Sequence, residues 1–108
     1  MTKEKGTVAV IFVSKRAATD PEGYGTTATA MMEAAARFPG YRGVHSARGT
    51  DGVGITVSYW ESDEAARAWK MESEHAATRE KGRSTWYEWY ELIVAEVTRS
   101  YDWRRPGA

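Results

Sequence analysis

Apolar positions in this chain recur at two spacings, every second residue or every third and fourth, and the change from one to the other lays out the elements. Thr7 to Lys15 (TVAVIFVSK) has the short spacing on both sides, with Val8, Val10 and Phe12 on one and Ala9, Ile11 and Val13 on the other. A strand apolar on both faces is a strand buried on both faces. Asp20-Pro21-Glu22 then opens a helix, with Asp as N-cap, Pro at the first helical position and Glu in the first turn. Tyr24, Ala28, Met31, Ala35 and Phe38 follow as one buried stripe, and Met31 and Met32 read as packing. Gly23 and Gly25 weaken the first turn, and Pro39-Gly40 ends the helix. Tyr41 to Arg48 and Val53 to Trp60 are the next two strands, an antiparallel hairpin closed by the turn Gly49-Thr50-Asp51-Gly52. Ser62 caps a second helix with Asp63 and Glu64 in its first turn, a body from Ala65 to Arg79, and an inward stripe of Ala65, Trp69, Ser73 and Ala76. Gly82 breaks it, and Arg83 to Trp86 adds a further turn. Tyr87 to Arg99 is the last strand, with Ile93, Ala95 and Val97 on one side and Leu92 and Val94 on the other.

The order β-α-β-β-α-β predicts an α+β, ferredoxin-like fold, a four-stranded antiparallel sheet with both helices on one face. Two helices cover only that face, yet the first and last strands are apolar on both. An exposed apolar sheet of roughly a few hundred Å² is unusual on a monomer. The pattern therefore predicts a homodimer that meets through the sheet face. Residues 1–6 read as a flexible lead-in, 7–103 as one domain, and 104–108 as a flexible tail.

Composition narrows the function classes. Fifteen Lys and Arg balance fifteen Asp and Glu, and no Lys/Arg block exceeds two residues, which argues against nucleic acid and against an anionic membrane surface. There are no cysteines, so disulfides, thiolate metal sites and Cys nucleophiles are excluded. No apolar run approaches spanning length, and MTKEKGT lacks a signal-type apolar region, which makes the cytoplasm the expected compartment. Aromatics make up 12% of the chain and favour Trp and Tyr, whose apolar bodies and polar tips suit pocket walls and interfaces.

VAVIFVSKR in the first strand, PGYRGVHSAR after the first helix, and VSYWESDEAARAWKMESEHAATREKGRSTWYEWYELIVAEVTRSYDW together resemble the antibiotic biosynthesis monooxygenase domains, which are dimeric α+β barrels. The resemblance covers residues 7–103 and implies an oxygenase on a small aromatic, polyketide- or quinol-like substrate. Members of this kind use no flavin and no metal, so no cofactor is expected: the deprotonated substrate itself gives an electron to O₂, in a dry pocket with a base and a group that stabilises the anion. A second branch of the fold degrades haem with a helix-two His on iron, a helix-two Trp against the porphyrin and a strand-one Asn. Trp69 and His75 match the first two, but the chain contains no Asn. Haem binding with His75 as axial ligand is therefore the alternative, and a non-catalytic dimeric binding or accessory protein is the third.

His75 is the leading candidate for chemistry, since its reference pKa suits a general base or a metal ligand. On an ideal helix it lies about 120° from Trp69, beside the core stripe and within reach of a cleft edge. The other reading is a surface His in a Glu-rich helix. Glu72, one turn earlier, is placed to orient His75 or act as base, and Arg83 to polarise a carbonyl or clamp a carboxylate. Trp69 reads both as a core anchor and as a wall for a flat substrate. Phe12, Tyr59, Trp86 and Tyr90 are the further wall candidates, and His45 is a minor one. Strict alternation separates Tyr87 and Trp89 from Tyr90, so these rings divide between pocket and dimer seam.

Overall fold

The computed structural model describes residues 3–72 and 86–107. Its elements are β1 (Val8–Arg16), α1 (Pro21–Ala36), β2 (Tyr41–Arg48), β3 (Val53–Trp60), α2 (Asp63–Lys70) and β4 (Tyr87–Glu96). The four strands form one antiparallel sheet in the order β2-β3-β1-β4. This is the α+β, ferredoxin-like plan that the hydrophobic pattern predicts.

Each helix starts where its cap places it. The Asp20 carboxylate accepts the Gly23 N–H at 3.2 Å, with Asp20 itself left-handed at φ 46°, and Ser62 Oγ accepts the Ala65 N–H at 3.1 Å. The second helix closes at Lys70 with Met71 as its C-cap, and the part of the expected helical body over 73–79 lies outside the described residues. Its inward side is Ala66 and Trp69, with Ala65 half-buried; Ser73, Ala76, Gly82 and Arg83 lie outside the described residues.

Both helices meet the same face of the sheet. Val8, Trp60, Ala66 and Trp69 form the core there, and Val10, Met31, Ala34, Ala35, Phe38 and Tyr41 pack against it. Strand register explains the set, because Val8 and Tyr41 both sit opposite Trp60 and so share its face. Gly40 lets the second helix approach. Its φ is 91°, its carbonyl accepts the Glu61 N–H at 2.8 Å, and a Cβ on it would stand 2.5 Å from the Ala65 methyl.

The opposite face carries Ala9, Ile11 and Val13 with their partners Tyr59, Val57 and Ile55, and Ile93 and Ala95 on β4. Ile55, Trp89 and Ile93 are exposed on it. Beyond β4 the ladder continues onto the N-terminal segment. Val97 N–H donates to Thr7 O, Gly6 N–H to Val97 O and Lys3 N–H to Ser100 Oγ, so hydrogen bonding reaches back to Lys3 in the stretch read as a lead-in.

Candidate functional site

Under the helices, the second half of β1 presents Phe12, Ser14 and Arg16 on one side. Strict alternation along β4 would set Tyr87 and Tyr90 on opposite faces. The structure corrects this: Lys15 pairs with Trp89 and Arg16 with Tyr87, so Glu88 is the extra residue of a β-bulge. Tyr87 and Tyr90 therefore share the helix side. Phe12 lies 5.4 Å from the first ring and 5.2 Å from the second, and the two tyrosines are 6.0 Å apart. Tyr24, from the first turn of α1, meets Trp86 and Tyr87 edge-on at 5.7 and 5.9 Å.

Two arginines enter this ring cluster. Arg48, at the end of β2, sits opposite Gly54, which in turn sits opposite Ser14. A Cβ on Gly54 would fall 2.6 Å from the Arg48 guanidinium carbon, so the missing side chain is the passage by which Arg48 crosses β3. Arg48 then donates to Ser14 O at 3.2 Å, to Ser14 Oγ at 2.9 Å, to Gly52 O and to the Tyr24 hydroxyl at 3.4 Å. Ser14 is fully buried, and this bond satisfies its hydroxyl. Arg16 stacks on Tyr24, with its guanidinium carbon 3.9 Å from the ring centroid, and donates to Trp86 O at 2.6 Å and to Thr19 O at 3.4 Å. The Trp86 indole N–H donates to the Asp20 carboxylate at 3.3 Å, which ties the start of β4 to the cap of α1.

Among the described residues no carboxylate lies within ion-pair distance of Arg16 or Arg48. Burial pushes the Tyr87 hydroxyl well above the ordinary tyrosine range; the Tyr24 hydroxyl beside it adds to the shift, and the Arg48 and Arg16 cations work against it. The site thus offers aromatic faces, a phenol held neutral and two cations. Such a set stacks on a flat ring and stabilises negative charge that develops on it.

Of the residues picked out by sequence, Phe12, Trp86 and Tyr90 come together here. Trp69 does not: it stacks on Trp60 at 5.9 Å and meets Phe38 at 5.2 Å, at the other end of the covered face. Tyr59 is on the open face, where its hydroxyl is 3.1 Å from His45 Nδ1 and Lys3 Nζ lies 4.2 Å over its ring. Glu72 follows the second helix, with its N–H donated to Trp69 O at 3.1 Å. His75 and Arg83 lie outside the described residues. Sequence reasoning missed Ser14, Arg16, Arg48 and Tyr24 as site residues; the one local signal was a glycine inside β3. Among the described residues no group of three or more His, Asp or Glu could hold a metal ion, and no helix is long and apolar enough to cross a membrane.

A four-stranded sheet with both helices on one face and a ring-lined site beneath them defines a ferredoxin-like α+β protein. The model of the antibiotic biosynthesis monooxygenase family matches residues 7–81, and the chain belongs to that family. The uncharacterised protein YqjZ of Bacillus subtilis is 51% identical over 98 residues, covering 91% of this chain and 85% of YqjZ. Two solved structures share the fold at low identity. SnoaB, a cofactor-independent oxygenase from Streptomyces nogalater, superposes with a TM-score of 0.69 at 13% identity, over 94% of this chain and 97% of its own. Rv0793 from Mycobacterium tuberculosis gives 0.72 at 14% identity, over 82% and 92%.

Proposed function

We propose that this protein is a cofactor-independent monooxygenase acting on a small aromatic, polyketide- or quinol-like substrate with O₂. The observation that carries the reading is the pair of guanidiniums at Arg16 and Arg48, free of carboxylates within ion-pair distance among the described residues and both set against the ring of Tyr24. On an anthrone-type substrate the ring methylene loses a proton to a base, the carbanion passes one electron to O₂, and the radical pair joins as a peroxide. The peroxide then breaks to a ring carbonyl and water, so the substrate supplies all four electrons. Phe12, Trp86 and Tyr90 are the walls in this reading, Trp69 anchors the core at the other end of the covered face, and Tyr59 belongs to the dimer seam. His75 is the base, oriented by Glu72, and Arg83 assists the cations; the roles of His75 and Arg83 rest on their places in the sequence. SnoaB's description as a cofactor-independent oxygenase supports the absence of a cofactor.

Two copies pair through the open sheet face, where Ile55, Trp89 and Ile93 are exposed. Sedimentation at micromolar concentration should give a dimer, and a monomer would remove this part. Oxygen uptake with anthrone- or naphthol-type substrates tests the chemistry. Turnover without added flavin or metal is expected. No uptake above the protein-free rate, or a Soret band with hemin that disappears in His75→Ala, would replace the reading.

A further inference from the structure

The two guanidiniums of the ring cluster differ in how many of their hydrogens are used. A guanidinium carries five N–H groups. On Arg48 the four terminal ones all have acceptors, Ser14 O and Gly52 O for Nη1, Ser14 Oγ and the Tyr24 hydroxyl for Nη2. Arg16 gives one bond from each terminal nitrogen, to Trp86 O and to Thr19 O, which leaves three N–H groups without an acceptor among the described residues. The guanidinium carbons of Arg16 and Arg48 stand 3.9 and 5.9 Å from the centroid of the same Tyr24 ring, so two like charges repel across it. The carboxylates next in sequence to these contacts are occupied elsewhere. Asp20 accepts from the Gly23 N–H and the Trp86 indole, and Asp51 from the Val53 N–H at 3.0 Å. A half-buried cation with open N–H groups and a like charge beside it is a seat for an anion.

We propose that the ligand of this site is an aryl carboxylate, already ionised when it binds, whose carboxylate is held by Arg16. The inference rests on the aromatic substrate of the preceding reading and gives its two cations different tasks. Arg16 grips a charge that is present throughout the reaction. Arg48, with its terminal hydrogens spent on the protein, acts through its field on charge that develops on the ring. The register places Tyr87 opposite Arg16, with Tyr90 next on the same side, so the aryl ring extends from the guanidinium along β4. A carboxylate conjugated with its ring is flat, as the guanidinium is, and one flat ligand meets both the N–H groups and the aromatic walls. A phosphate monoester would set a tetrahedral centre and an ester oxygen between the two.

Calorimetric titration with 2-naphthoate and with 2-naphthamide, its neutral isostere, separates the charge from the ring. The acid should bind roughly 30-fold tighter than the amide, the effect of a charge-assisted pair. That ratio should fall toward one in Arg16→Gln and keep an intermediate value in Arg16→Lys, which retains the charge without the planar fork. Arg16→Gln also gives up the bond to Trp86 O, so the readout is the acid-to-amide ratio within each protein; a loss of folding lowers both affinities alike. Equal affinities for acid and amide in the unaltered protein, or a ratio that survives Arg16→Gln, would overturn the proposal. So would 2-naphthyl phosphate binding tighter than 2-naphthoate, which would make the seat a phosphate site. Oxygen uptake judges the preceding reading separately. Turnover of anthrone with no preference for the acid would leave the oxygenase standing and remove the carboxylate; a preference for the acid that disappears in Arg16→Gln, with no oxygen uptake on any substrate, would support the seat and remove the oxygenase.

Discussion

At one end of the helix-covered face Trp60 and Trp69 lie stacked, with Phe38 and Tyr41 edge-on; at the other, Phe12, Tyr24, Trp86, Tyr87 and Tyr90 meet at similar distances. The two ends share a ring geometry and differ in their polar atoms. The Trp60 indole N–H is satisfied two residues away by Ser58 Oγ at 3.0 Å, and among the described residues no cation stands over the Trp60 ring. At the other end an indole is tied to a carboxylate, a serine is buried under a guanidinium, and two cations face the Tyr24 ring. Rings that close over one another with local polar partners contribute stability. Rings held open to cations by long-range hydrogen bonds contribute a chemical environment at some cost in packing.

Substitution should separate the two roles. Trp60 is completely buried, so Trp60→Ala should cost about 3–5 kcal/mol in urea unfolding. A loss below about 1 kcal/mol would mean that the tryptophan end is not the keystone that its packing implies. Arg48→Ala should cost less, about 1–2 kcal/mol, because Arg48 is exposed as a residue and its loss strands only Ser14 and nearby carbonyls. Oxygen uptake should fall further in Arg48→Ala than in a stability-matched variant of the tryptophan end. Equal activities would erase the contrast.

Tyr87 gives the smallest effect and the most specific one. Its folded-state pKa is raised above the ordinary 10.0, so the native state binds the proton more tightly than the unfolded chain. The stability this proton provides is fully present below pH 10 and is lost as pH climbs past 10 toward the raised value. Urea midpoints should therefore be level from pH 7 to about 9 and fall above 10, with a shallower fall in Tyr87→Phe. A fall of the same steepness in both proteins would show that Tyr87 titrates like any exposed tyrosine.

The tryptophan end was legible in the sequence because its causes are local and periodic. Asp20 and Ser62 start their helices, and Val8, Trp60 and Trp69 fall on the sides that spacing assigns them. The ring end was legible only in part. Arg48 reaches Ser14 across 34 residues and Trp86 reaches Asp20 across 66, and no periodicity encodes contacts of that kind. Tyr24 reads as one more position in the apolar stripe of the first helix until the arginines are seen on it. Tyr87 went to the wrong face because a bulge adds one residue without disturbing the apolar pattern on either side.

That bulge has a bearing on how far similarity can be carried between relatives. In an unbroken ladder Glu88 would stand opposite Arg16 and neutralise it; with the register shifted, Glu88 turns to Lys15 at 3.7 Å and a phenol takes the place beside the guanidinium. The net charge of the site is thus written in strand register as much as in residue identity. A homologue that aligns letter for letter through this segment inherits the same electrostatics only if it inherits the kink as well.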